Sequence, residues 1–452
     1  MTRLASLPHC LPKAVCSPRS SVGYWGGAFI ALILGCWGAS FVIGFETALA
    51  VLTMACFAAA IVGLFRPALG LLGIGMLCTL EPLMRSLLFT GGWWRWHTVD
   101  YWLLLVAILF APLLLRLSDA RSRLIQLFAA LVCLEVLVSP DWYGGLADVA
   151  GVVAVFGLVV YFARAGRDAG VWRWLGLVCG TTGSVGGMVF LVQQASLPQI
   201  NRNAWAYLPL TALFAVCLAF PLARPWVRGQ VILATLAVAN YTLVFLSGSR
   251  GTLLTATACG LFLLVATRHM RRRWMVAVSV PLIALAITTQ FSDLQTQAVD
   301  RINVLLDPHE NLTDRTSGRS QLALAGWRMF LDRPLGVGTG GFAVTRADFT
   351  EAASLWTSEA RKAAHAGWIK ILAENGLPGL GLMGAYVLSF TVAGWRSRNR
   401  SLLMLGVLVT LAFGLGFVST EYQSKGLWFL AAGVMVLLRP DSPVMRREPV
   451  AA

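Results

Sequence analysis

Apolar runs follow one another along nearly the whole chain, divided by short polar connections that carry most of its charges. A helix rises about 1.5 Å per residue and the hydrocarbon of a bilayer is about 30 Å thick, so runs of about 20 apolar residues read as transmembrane spans. The pattern predicts spans near 22–44, 46–65, 67–86, 99–116, 124–138, 146–163, 174–193, 204–222, 229–246, 252–267, 275–290, 377–394, 401–418 and 425–438. The shorter runs fit tilted or re-entrant helices as well as full crossings, which sets the expected number at about 12–14 transmembrane helices. The fold class is therefore all-α, a polytopic helical membrane protein.

One long polar stretch interrupts this pattern. It divides the chain into N-terminal transmembrane helices (1–290), an extramembrane loop (291–376) and C-terminal transmembrane helices with a tail (377–452). Two helices are expected in the loop. The first begins at Ser317-Gly318-Arg319, runs to Leu331 and stops at Arg333-Pro334, with Leu322, Trp327, Phe330 and Leu331 as its apolar stripe. The second runs from about Thr357 to Glu374 and stops at Asn375-Gly376 ahead of Pro378, which puts His365, Trp368, Ile369 and Leu372 on one face. Neither an internal repeat nor a low-complexity tract is visible.

Composition agrees. Hydrophobic residues make up 57% of the chain, charged residues 13%, and the mean hydropathy is +0.71, which excludes an ordinary soluble domain. The formal charge of +15 does not imply a nucleic-acid partner, because the Lys and Arg sit in small clusters between apolar runs. Those clusters set orientation instead. Arg116/Arg121/Arg123, Arg164/Arg167/Arg173, Arg224/Arg228, Arg268/Arg271/Arg272/Arg273, Arg396/Arg398/Arg400 and Arg446/Arg447 all fall on one side, the cytoplasm by the positive-inside rule. Both termini are then cytoplasmic, and the loops at 194–203, 247–251, 291–376 and 419–424 face outward.

The N-terminal stretch to Ser21 reads as a cytoplasmic tail before a first span, since the apolar run after it is too long for a cleaved signal. Of the nine cysteines, Cys36, Cys56, Cys78, Cys133, Cys179, Cys217 and Cys259 lie in apolar runs and read as small buried hydrophobes. No Cys/His spacing suggests a metal site, and no cofactor motif is present.

Candidate chemistry gathers in the outward loops. Arg319 falls in the first turn of its helix, where unpaired amides and the positive dipole end favour an anion and a guanidinium adds a bidentate fork. Pairing with an acid such as Asp314 is the other reading. Arg250 stands in SGSRG at the mouth of a span, beside Ser249, and Arg202-Asn203 stands at the entrance to another; an Arg at that depth snorkels, pairs or binds something. His365 is either a structural histidine on an apolar face or a proton acceptor, and Glu351, Glu359, Glu374 and Glu421 are outward carboxylates that compete for that role.

The combination of SGSRG, GRSQLALAGWRMFLDRPLGVGTGGF and HAGWIKILAENGLPGLG, in this order, resembles the O-antigen ligase and polymerase superfamily of bacterial envelope glycosyltransferases. The resemblance runs from NRNAWA to about Gly381. It implies a metal-independent, inverting glycosyltransferase, without a cofactor, on the periplasmic face of the inner membrane. The donor would be a glycan on undecaprenyl diphosphate, and the acceptor a sugar hydroxyl of lipid A core or of another lipid-linked glycan. By the same resemblance, Arg250 and Arg319, with Arg202, bind the diphosphate, Asn203, Ser249 and Trp327 support the site, and His365 sits by the acceptor. Ala366 departs from the family pattern, in which many members have Asn after the histidine.

The chemistry fits that inventory. Departure of a diphosphate needs charge neutralisation more than a strong acid, and fixed guanidinium groups supply it. No DxD pair occurs in an outward loop. A ligase, a polymerase of O-antigen or exopolysaccharide repeats and a protein O-oligosaccharyltransferase share this donor chemistry. A lipid-linked glycan transporter is the alternative of another class; it predicts intramembrane charges along a path, for which Glu81 and Arg85 are the clear pair.

Overall fold

The computed structural model describes residues 18–87, 94–112, 119–193, 202–223, 227–266, 319–349, 366–417, 425–439 and Ser442. Among the described residues the regular structure is entirely helical, with no strand. The helices are α1 (Pro18–Ile43), α2 (Phe45–Val62), α3 (Pro67–Leu87), α4 (Trp94–Leu109), α5 (Ala120–Glu135), α6 (Trp142–Ala165) and α7 (Ala169–Gln193). They continue as α8 (Arg202–Ala219), α9 (Val227–Leu246), α10 (Arg250–Ala266), α11 (Arg319–Asp332), α12 (Gly367–Arg396), α13 (Arg400–Gly416) and α14 (Lys425–Leu437). Eight of the described helices are long and apolar enough to cross a membrane, and four shorter apolar helices accompany them. The chain is an all-α, multi-pass membrane protein. The span expected at 275–290 lies outside the described residues.

Helices that are apolar all round belong in the middle of such a bundle. Buried positions make up 89% of the apolar stretch Trp205–Ala223, which spans most of α8 with the short 3-10 turn after it, and 83% of Pro67–Met84 in α3, against 33% of Val22–Ile43 in α1. Accordingly α8 packs against α3, α7, α9, α10 and α14, while α1 lies outside against α2 and α7. The cysteines follow the same division. Cys56, Cys78, Cys179, Cys217 and Cys259 are buried and Cys36 is half-buried, but Cys133 is exposed, contrary to the expectation for it. An apolar run contains both faces of its helix, and Cys133 shares the outer face of α5 with the exposed Leu127 and Leu134.

The two ends of the bundle differ in chemistry. At one end the arginine-bearing connections meet: Arg164 donates from Nη2 to the Leu64 carbonyl at 2.6 Å, and Arg173 donates from Nε to the Leu222 carbonyl at 3.0 Å. The opposite end collects acid–base pairs between helices far apart in sequence. Lys425, at the start of α14, pairs with Asp100 of α4, and both are fully buried. Lys370 of α12 lies 2.9 Å from Asp148 of α6, also buried. Glu81 and Arg85 are therefore not the one clear charge pair inside the spans; the Arg85 side chain lies outside the described residues.

Burial raises the energetic stakes of such a pair. Taking one partner away strands the other charge, at a cost of about 3–5 kcal/mol. Lys425→Met is expected to lower the thermal unfolding midpoint in detergent sharply, and adding Asp100→Leu is expected to restore most of the loss. An unchanged midpoint in the single variant would contradict this account.

Candidate functional site

The polar arm between α10 and α12 is built on a helix that breaks. The α12 helix extends from Gly367 to Arg396, but within it Gly376 has φ 59° and ψ −156°, which ends one helical segment and starts another. A side chain at this residue would meet the Leu335 Cα at 2.7 Å, and L residues seldom adopt this φ. Pro378 follows, in the first turn of the new segment, where its missing N–H costs nothing. The Asn375-Gly376 stop expected from sequence is thus present as a kink.

A helix that stops leaves its last carbonyls without partners. Here the glycine-rich turn after α11 supplies them. Val337 donates its N–H to the Ala373 carbonyl at 3.0 Å, Gly338 donates to the Glu374 carbonyl at 3.0 Å, and Leu377 donates back to the Pro334 carbonyl at 3.1 Å. The turn RPLGVGTGGF is therefore the C-terminal cap of the arm segment 367–375. Gly338 and Gly340, with φ 94° and 84°, let its backbone pass against Ser139 and the start of α6; a Cβ on Gly338 would lie 2.8 Å from the Ser139 Cα.

Side chains fix this junction from three directions. Asn375, fully buried, donates from Nδ2 to Thr339 Oγ1 at 2.9 Å and to the Glu135 carboxylate at the end of α5. Glu374, also fully buried, accepts the Phe342 N–H through Oε1 at 3.1 Å. Lys370, one turn before Glu374, holds Asp148. At the head of the segment, Gly367 donates its N–H to the Phe417 carbonyl at 2.7 Å, and Trp368 meets the Phe417 ring edge-on at 5.2 Å. These ties join the arm to α5, α6 and the end of α13.

Three helices begin at this end with an arginine as first residue. Arg202 opens α8, Arg250 opens α10 and Arg319 opens α11. The first two helices pack against each other and run in the same direction, while α11 lies on α12. The side chains of Arg202, Asn203, Arg250 and Arg319 lie outside the described residues, so the backbone alone places them. The turn before Arg250 is locally closed as its serines suggest: Ser247 Oγ accepts the Ser249 N–H at 3.1 Å, and the Ser249 carbonyl accepts from Thr252 Oγ1 at 2.9 Å.

Other expectations for the arm need correction. The stripe of α11 is not Leu322, Trp327, Phe330 and Leu331. Its buried positions are Leu322, Ala325, Gly326 and Met329, at spacings of three and four, whereas Trp327 is 46% and Leu331 60% exposed. Trp327 stands on the open face, its ring 5.4 Å from Phe330. Nor does one helix run from Thr357 to Glu374, because Ala366 is extended at φ −143°, ψ 104° and the helix starts at Gly367. His365 precedes that helix and lies outside the described residues, so helical spacing does not align it with Trp368. Glu374 is buried against the Phe342 N–H and does not face outward as a competing base; Glu351, Glu359 and Glu421 lie outside the described residues.

The ties through Glu135, Asp148, Lys370 and Asn375 have no signal in sequence spacing, since Glu135 and Asn375 are 240 residues apart and Lys370 and Asp148 are 222 apart. Charged residues within predicted spans are the one sign that points to them. Among the described residues, no group of three or more His, Cys, Asp or Glu is placed to hold a metal ion.

A comparison with curated proteins finds no match to the chain. A family model described as O-Antigen ligase matches residues 231–384, from α9 through α10, α11 and the capping turn into α12. The arginine-headed helices α10 and α11, the turn 333–342 and the part of α12 that holds its kink at Gly376 fall inside that stretch, which is similar to the O-antigen ligase family.

Proposed function

We propose that this protein moves a glycan from an undecaprenyl diphosphate carrier to a sugar hydroxyl on the periplasmic face of the bacterial inner membrane, as an O-antigen ligase. The observation that carries the reading is the coincidence of the family match over 231–384 with the bundle end where α8, α10 and α11 each begin with an arginine. The basic connections at the other end support a cytoplasmic location for that side. The segment 291–376 is then the periplasmic loop, between N-terminal and C-terminal sets of transmembrane helices.

In this reading Arg250 and Arg319, with Arg202, bind the carrier diphosphate. As the glycosidic bond to the carrier breaks, negative charge grows on the departing diphosphate, and fixed guanidinium groups stabilise it with little reorganisation. The attacking hydroxyl enters from the opposite face of the sugar ring, so configuration inverts. His365 takes the hydroxyl proton as the new bond forms. Arginines supply the charge that a metal ion supplies elsewhere, which makes the transfer metal-independent. Ser249, Asn203 and Trp327 support the donor pocket.

Lipid A core is the proposed acceptor. Polymerase and protein O-oligosaccharyltransferase chemistry would use the same donor site. For a transporter, the pairs Asp100–Lys425 and Asp148–Lys370 would have to line a path, whereas they sit together near one end of the bundle. Lipopolysaccharide and carrier-linked glycan from a deletion strain separate these cases. A ligase leaves bare core with polymer retained on the carrier. A single repeat on core would assign a polymerase, and unchanged lipopolysaccharide would contradict the proposal.

A further inference from the structure

The arm contains a carboxylate that surface chemistry leaves unused. Glu374 has no exposed surface, and its carboxylate is turned onto the backbone of the capping turn, where Oε1 accepts the Phe342 N–H at 3.1 Å. The Phe342 ring lies at the seat of α11, where a Cβ on Gly326 would come within 3.2 Å of it. Phe342, Met329, Leu322, Val337 and Ala373 form one buried cluster beneath that helix. The contacts therefore run in series: Glu374 holds the backbone of Phe342, its ring holds α11, and α11 begins at Arg319.

We propose that Glu374 is a positioning residue for glycan transfer, setting the place of α11 and hence of Arg319 through the 336–342 turn. The inference rests on the donor-site reading above. Its physical basis is the steepness of catalysis with geometry: a misplacement of about 1 Å costs about 100-fold in rate. The loss belongs in kcat, because charge on the diphosphate grows toward the transition state and a displaced guanidinium forfeits most there. Packing of apolar side chains alone tolerates small slides along a helix, whereas a carboxylate that accepts the Phe342 N–H fixes direction as well as distance.

The test compares Glu374→Gln, Glu374→Asp and Glu374→Ala in the full chain in detergent, with undecaprenyl diphosphate-linked glycan as donor. Gln keeps an oxygen that can accept the Phe342 N–H but takes no proton; it is expected to retain kcat within about threefold of the unsubstituted protein. Ala removes the acceptor and is expected to lose about 100-fold in kcat with donor KM changed less than about threefold, and Asp to fall between them. Hydrogen exchange in substrate-free protein is the companion measurement, with amides of 322–332 and 336–342 exchanging faster in the Ala variant than in the Gln variant. If Gln is as inactive as Ala while exchange is unaltered, Glu374 works through its proton and the positioning role falls. Faster exchange with normal kcat in Ala overturns it too. Should the unsubstituted protein transfer no lipid-linked glycan at all, the donor-site reading fails, and exchange alone then decides whether Glu374 holds α11, with no acceleration in Ala as the contrary result.

Discussion

Arg319→Lys is expected to lower glycan transfer by about 100- to 1,000-fold while the protein still accumulates in the membrane, a loss of the size seen when one preorganised donor to a developing anion is removed. Lysine keeps the charge but not the planar fork that grips two phosphate oxygens together. The position makes the effect large. Arg319 is the first residue of α11, where the first amides of a helix have no intrahelical partners and favour an anion, and α11 is seated on α12 through Gly326. Arg250→Ala, at the head of α10, is expected to act similarly through the same leaving group. Product formation near the unsubstituted level by both variants, measured at matched protein amounts, would remove the diphosphate-binding assignment.

Loss of His365 is expected to be as severe, about 100- to 10,000-fold for removal of a general base. His365→Ala should still bind the carrier-linked donor and remain monodisperse in detergent. Ala366 is extended and buried and the helix begins at Gly367, tied to Phe417. A histidine just before such a fixed point needs no helical face to be held in place. His365→Gln separates the roles open to it, because Gln donates and accepts hydrogen bonds but takes up no proton near neutral pH. Substantial activity in the Gln variant would exclude the base role and leave an orienting one. Full activity in the Ala variant would return His365 to the structural role.

Much of the bundle is legible in the sequence because a span is a local property. Twenty or so apolar residues announce a crossing wherever they pack, and the arginine clusters mark which ends lie together. The capping turn is partly legible: Gly336, Gly338 and Gly340 mark backbone that no other residue adopts easily, but the carbonyls they cap belong to a helix that starts only at Gly367. The face of α11 misleads because aromatic bulk at Trp327 outweighs the three-and-four spacing of Leu322, Ala325, Gly326 and Met329. The loop helix reads too long because the 357–374 stretch has no proline or glycine until Gly367, and what starts the helix there is the carbonyl of Phe417. Glu374 shows the deepest limit. In the sequence it reads as an outward carboxylate suited to proton transfer, and the fold turns it inward onto the Phe342 N–H of another segment.

If this chain by itself transfers a glycan from undecaprenyl diphosphate to a sugar hydroxyl, as proposed, the reaction needs no other protein. The most direct test incubates the purified, reconstituted protein with a labelled undecaprenyl diphosphate-linked glycan and lipid A core, with no other protein present, and follows the label. Labelled glycan on the core is expected, with released carrier diphosphate in equal amount and loss of both in Arg319→Lys. Label that stays on the carrier, with the unsubstituted protein folded and the donor bound, would contradict the proposal.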